Sequence, residues 1–235
     1  MFKWIPYSFL ILLPVINPSG IDHALSPSRA LSEWVSMQDL TIKGLSAEVC
    51  RLAIQGYDRL CSEGKLIHPE ILTIIDFSQS SRNKRLYVID LLEKKLIFNT
   101  FVTHGRNTGD EFARNFSNTS GSYQSSLGFY ITQEKITGSK VGLALSLEGV
   151  EKGINDNAIS REIIMHGADY ATEDFIRRTG RLGRSFGCPA LPPDMIKPVV
   201  DVIKGGTCLF IYYPDNYYLM NSALLKTDAD PETCF

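Results

Sequence analysis

The sequence predicts a mainly β domain with a few helices (α+β), a sheet sandwich or barrel-like core with an N-terminal helical segment. Three observations carry that prediction. Short apolar runs such as "ILTIIDFS" and "TCLFIYYP" recur, each bounded by Gly, Asn, Ser or Pro. Apolar residues take helical spacing in only a few segments. No internal repeat or low-complexity tract interrupts the pattern.

The first element is the N-terminus itself. "MFKWIPYSFLILLPVINPSG" places Lys3 ahead of an apolar run from Ile5 to Ile16, then small and turn-forming residues. That is the order of a secretory signal peptide. The run is short for a bilayer, and Pro6 and Pro14 interrupt it. Residues 1–24 are therefore expected to be a signal peptide cleaved near Ala24, leaving no stable membrane span. An uncleaved anchor is the alternative. Residues 25–70 read as an arm and a helix. In "SAEVCRLAIQGYDRLCSEG", Val49, Leu52, Ala53, Tyr57, Leu60 and Cys61 recur at helical spacing, with Ser46 to cap the start and Gly64 to end it.

The main domain is expected over residues 71–225, with 226–235 as a tail. "ILTIIDFS" is the first strand, bounded by "QSSRNK". "RLYVIDLLEKKLIFNTFVTHG" holds two more, with a turn near Glu93 to Lys95. "GRNTGDEFARNFSNTSGSYQSS" is turn-rich. "LGFYITQEKI", "VGLALSLEG" and "EIIMHGADY" are further strands, the last ending at Gly167. "TEDFIRRTG" reads as a short helix or turn, "PDMIKPVVDVIKGG" as a helix closed by Gly205 and Gly206, and "TCLFIYYP" as the final strand.

Composition bounds the function. A chain of 235 residues with 44% hydrophobic and 21% charged residues buries a core without metal or disulfide staples. Net charge is −2 and no basic block occurs, which argues against a nucleic-acid partner. Export would make the cysteines informative. Cys50 and Cys61, on one helix, sit about 16 Å apart and cannot pair. Cys208 and Cys234 are free to pair with each other. The odd count leaves at least one thiol over, and Cys188 is the candidate.

Cys188 stands in "GRSFGCPALP". A thiol attacks as the thiolate, so it needs a base or a positive neighbourhood. Beyond the leader only His68, His104 and His166 remain. His166 ends an apolar strand, 22 residues ahead of Cys188, where Gly167 permits close approach of a covering loop. A catalytic base and a buried structural histidine both fit that position. His104, in "THGRNTG", either lines the same cleft or serves a turn. His68 precedes Pro69 and reads as surface. Gly187 and Cys188 offer consecutive N–H groups for an oxyanion. Arg181 and Arg184 flank the turn, either to hold a substrate carboxylate or as solvated charges. No Cys-x-x-Cys, His-x-x-x-His or P-loop spacing occurs, so neither a metal nor a nucleotide cofactor is expected.

Taken together, "SRNKRLYVIDL", "VTHGRNTG", "FSNTSGSYQSSLGFYIT", "LSLEGVEKGINDNAISREIIMHGADY" and "GRLGRSFGCPALP" resemble the murein L,D-transpeptidase catalytic-domain family, a branch of the YkuD-like L,D-transpeptidases. The resemblance runs from about Leu72 to about Tyr213. It implies a mostly β catalytic domain, peptidoglycan stem peptides as substrate, no cofactor and a cell-envelope or periplasmic location. It implies Cys188 as nucleophile and His166 as general base, with Ser185 and Gly187 matching the Ser and Gly of the cysteine block. The wider family reads Ser-His-Gly-Cys where this chain has Ser185-Phe186-Gly187-Cys188, and a polar residue where it has Ala190. A compensating role for His104 is one expectation; a monomer is another.

Overall fold

The protein is seen in a computed structural model that describes residues 44–138 and 141–226. The expected signal peptide, most of the arm, and Cys234 with its pairing to Cys208 lie outside the described residues. Helix α1 (Ala47–Ser62) is followed by β1 (Ile71–Asp76), β2 (Leu86–Asp90), β3 (Lys95–Thr100), β4 (Gly128–Gly138), β5 (Gly142–Gly149) and β6 (Ile164–Gly167). Then come α2 (Glu173–Thr179), β7 (Ala190–Leu191), α3 (Pro193–Ile203), β8 (Cys208–Tyr212) and α4 (Asn216–Asn221). The expected α+β class, mainly β with few helices, is what the chain adopts.

The eight strands form one sheet in the order β3-β2-β1-β8-β4-β5-β6-β7. The β1–β8 and β6–β7 pairs are parallel, the others antiparallel. The two ends of this sheet meet. The chain leaving β3 returns along β7, where Thr103 N–H donates to the Ala190 carbonyl at 2.9 Å. Ala190 N–H answers by donating to Thr103 Oγ1 at 3.2 Å. The result is a near-closed barrel, joined at this seam by the segment that follows β3.

Packing explains why β1 and β8 are apolar throughout. Each is buried along its full length. Helix α1 covers β1 and β8, and α3 covers β6, β5 and β1. Ser46 caps α1 by accepting the Val49 N–H at 3.2 Å. Gly56 faces the sheet, and a Cβ there would sit 2.0 Å from Phe129 Cζ. Phe129 in turn stacks on Phe210 at 4.2 Å. Gly167 performs the close approach expected of it, but against α3 rather than a loop, with Ile196 Cγ2 3.1 Å from the place of a Cβ.

Two of these elements, α4 and β7, were absent from the sequence reading. α4 has only six residues, too few for a periodic signal. It is held by Tyr218 and Ser222, whose hydroxyls both donate to the buried Glu151 carboxylate. β7 has two residues, and only its partner strand defines it.

Candidate active site

The site is assembled where β6 and β7 lie side by side. His166 pairs in register with Ala190. Cys188 lies in the turn two residues before Ala190, and the carbonyl of Pro189 between them accepts the His166 N–H at 3.3 Å. Residues 22 apart in the chain are thus brought onto adjacent backbone segments.

The cysteine turn is clamped on both sides. Ser185 is buried, accepts the Gly187 N–H at 3.1 Å and donates to the Cys188 carbonyl at 2.5 Å. Ser125 Oγ–H donates to the Gly187 carbonyl at 3.0 Å. Gly187 takes φ +129°, and a Cβ there would lie 2.9 Å from the Gln124 carbonyl. Only glycine fits this position. Gly105 packs in the same way, 3.0 Å from the Gly187 Cα at the place of a Cβ. The spent N–H of Gly187 changes the expected oxyanion pair. Among the described residues, the Cys188 N–H is the one of the two without an acceptor.

The thiol donates to the Glu162 carbonyl at 3.7 Å. Glu162 holds φ +55°, a left-handed backbone that is uncommon for a residue with a side chain. Burial pushes the Cys188 thiol above the ordinary range. The Ile164 N–H and the Arg161 guanidinium pull it back, and the Glu162 carboxylate adds to the rise. His166 is buried, with Nδ1 3.0 Å from the Gly167 carbonyl. A carbonyl only accepts, so the neutral ring carries its proton on Nδ1 and leaves Nε2 as a free base. Cys188 and His166 make no hydrogen bond to each other in this conformation; each is held by its own carbonyl.

The other anticipated residues are placed differently. His104 is buried below the turn. Its Nδ1 accepts from Arg85 at 2.8 Å and its Nε2–H donates to the Gly109 carbonyl at 3.3 Å. With both nitrogens engaged it does not line the cleft, and it is not positioned to compensate for the histidine replaced by Phe186. Arg184 donates to the carbonyls of Arg106 and Gly109 and to Asp110 at 2.7 Å. Arg181 donates to its neighbour's carbonyl and also faces Asp110, at 3.7 Å. Both arginines are therefore spent on one loop instead of waiting for a carboxylate. His68 is exposed beside Glu70. No cluster of His, Cys, Asp or Glu able to hold a metal occurs among the described residues.

The L,D-transpeptidase catalytic domain family matches residues 41–212. The chain belongs to this family.

Solved structures similar to the L,D-transpeptidase domain include an L,D-transpeptidase from Mycobacterium smegmatis, 13% identical over 61% of this chain and 59% of that one, with a TM-score of 0.39. The helical cell shape determining protein Pgp2 of Campylobacter jejuni is 15% identical over 62% and 47%, TM-score 0.42. An L,D-transpeptidase from Mycobacterium tuberculosis is 15% identical over 61% and 58%, TM-score 0.37. The chain spans about half to three fifths of the length of these structures. No curated protein matched the sequence.

Sequence reasoning passed over Arg161, which sits inside the quoted "SREIIMHG" block of the L,D-transpeptidase domain. Its guanidinium donates to the carbonyls of Ser117 and Gln124 and to the hydroxyls of Ser122 and Ser126, pinning the turn-rich segment. An arginine before an apolar strand was the available signal; its four acceptors come from elsewhere in the chain. Arg85, wholly buried with bonds to Gln79, Val102 and His104, was missed for the same reason.

Proposed function

We propose that the protein is an exported cysteine acyltransferase that forms 3→3 cross-links between peptidoglycan stem peptides. The reading is supported by the pairing of the strand that ends in His166, whose Nε2 has no partner among the described residues, with the segment that directly follows the Cys188 glycine turn. The Cys188 proton passes to His166 Nε2, and the sulfur attacks the carbonyl carbon of the third stem residue. The Cys188 N–H faces the oxyanion. The bond to the fourth residue, D-alanine, breaks, and its nitrogen takes the proton from His166. A thioester remains. An amine from a neighbouring stem attacks it, gives its proton to His166, and the Cys188 thiolate leaves. Water in place of the amine makes the same site an L,D-carboxypeptidase. The raised thiol pKa argues for proton transfer during attack rather than a standing thiolate. It also favours a second reading, a wall-peptide binder without turnover.

Intact-protein mass separates them. Incubation with a tetrapeptide stem should add the mass of the tripeptide acyl group to the wild type and nothing to Cys188→Ala. Absence of any adduct, with D-alanine never released, would leave the binder. Products carrying a second stem define the transpeptidase, and free tripeptide the carboxypeptidase.

A further inference from the structure

The rim of the cysteine turn carries a cation that the fold does not use. Arg106 is exposed, and its backbone N–H is tied to the Ser185 carbonyl at 2.8 Å, three residues before the thiol. Its guanidinium lies over two aromatic rings, 4.6 Å from the Tyr123 centroid and 5.1 Å from the Phe186 centroid. Those rings are 5.0 Å apart, and Phe186 is 65% exposed. Two residues from the nucleophile, Phe186 thus forms with Tyr123 an exposed aromatic pair at the rim. The other guanidinium groups around the turn have acceptors: Arg161 and Arg85 hold carbonyls, and Arg181 and Arg184 face Asp110. The Arg106 side-chain N–H groups have no acceptor among the described residues.

Stacking uses the face of a guanidinium and leaves its in-plane N–H edge open, the edge that matches a carboxylate in bidentate fashion. We propose that Arg106, held on Tyr123 and Phe186, is the substrate-binding residue that takes the terminal carboxylate of the donor stem peptide. The two rings orient the fork, and Phe186 covers the ion pair from water. This rests on the acyl-transfer reading of Cys188. In that reading the donor's terminal carboxylate belongs to the departing residue, adjacent to the bond that breaks.

The test uses the full chain and two synthetic donors, a tetrapeptide with a free C-terminal carboxylate and the same peptide as its C-terminal amide. Loss of one charge-assisted bidentate contact predicts a rise in KM of roughly 10- to 100-fold for the acid in Arg106→Gln. The amide donor should be unaffected and kcat should hold. Arg106→Lys should recover part of the loss, and Phe186→Ala should weaken the acid selectively. Equal effects on acid and amide, or no effect on either, would overturn the proposal. Binding of each donor to Cys188→Ala, with and without Arg106→Gln, reads the same preference without turnover. A wild type that releases neither D-alanine from the acid nor D-alaninamide from the amide refutes the acyl-transfer reading alone; the carboxylate preference in binding then decides Arg106.

Discussion

His104 should make the stability of this protein fall steeply on acidification. Its ring is buried against the Arg85 guanidinium, with Nδ1 accepting and Nε2–H donating. Burial first, and the Arg85 charge second, lower its pKa from 6.5 to about 3. A depressed histidine stabilises the fold in its neutral form. The unfolded chain binds the proton below the unfolded value of 6.5, while the folded chain refuses it down to about 3. Stability is therefore full above the unfolded pKa and falls with pH across that window, at about 1.4 kcal/mol per pH unit. Between about pH 6 and about pH 4 the loss from this one group comes to about 2.5 kcal/mol. His104→Gln keeps a donor and an acceptor but has no proton to gain. Urea unfolding of both proteins at a series of pH values isolates the effect, because any constant cost of the substitution cancels in the slope. The wild type should lose about 2.5 kcal/mol more than the variant over that interval. Parallel slopes would refute the reasoning and mean that the ring is hydrated or reorganises on protonation.

Other outcomes follow from the same geometry. Ser185→Ala removes a bond at each end of the cysteine turn and should lower stability by about 1–3 kcal/mol in urea unfolding, with a larger fall in acylation rate than in peptide binding. Gly187→Ala meets both a positive φ and the Gln124 carbonyl, and should cost about 1–3 kcal/mol, read as a shift in thermal midpoint. Alkylation of Cys188 by iodoacetamide should be slower at neutral pH than that of a free thiol and should climb as pH rises, because burial holds the thiol protonated. Gly56→Ala should destabilise by about 1–3 kcal/mol despite better helix propensity, since Phe129 is pinned by Phe210 and cannot swing clear.

Much of the fold was legible because its signals are local. The runs "ILTIID" and "CLFIY" are apolar at every other position and beyond, and they became β1 and β8, buried on both sides. The Ser46 cap and the glycine after α1 needed only sequence neighbours. The two-residue β7 and six-residue α4 carry too few residues for a period, and only their partners stabilise them.

The site divides along the same line. Composition and the order of residues determined that a thiol follows a glycine, that an apolar strand ends in His166, and that the chain has the material for a β core. These are properties of residues and their immediate neighbours. The partners were decided only in three dimensions. Asp110 satisfies the two arginines nearest in sequence to Cys188, while Arg106, 82 residues before it, stands unpaired on aromatic rings at its rim. His104 and His166 both precede a glycine, yet one is sealed under Arg85 and the other keeps a free nitrogen. The reason is that charge pairing and desolvation depend on distance in space, and barrel closure sets those distances by joining the segment after β3 to β7.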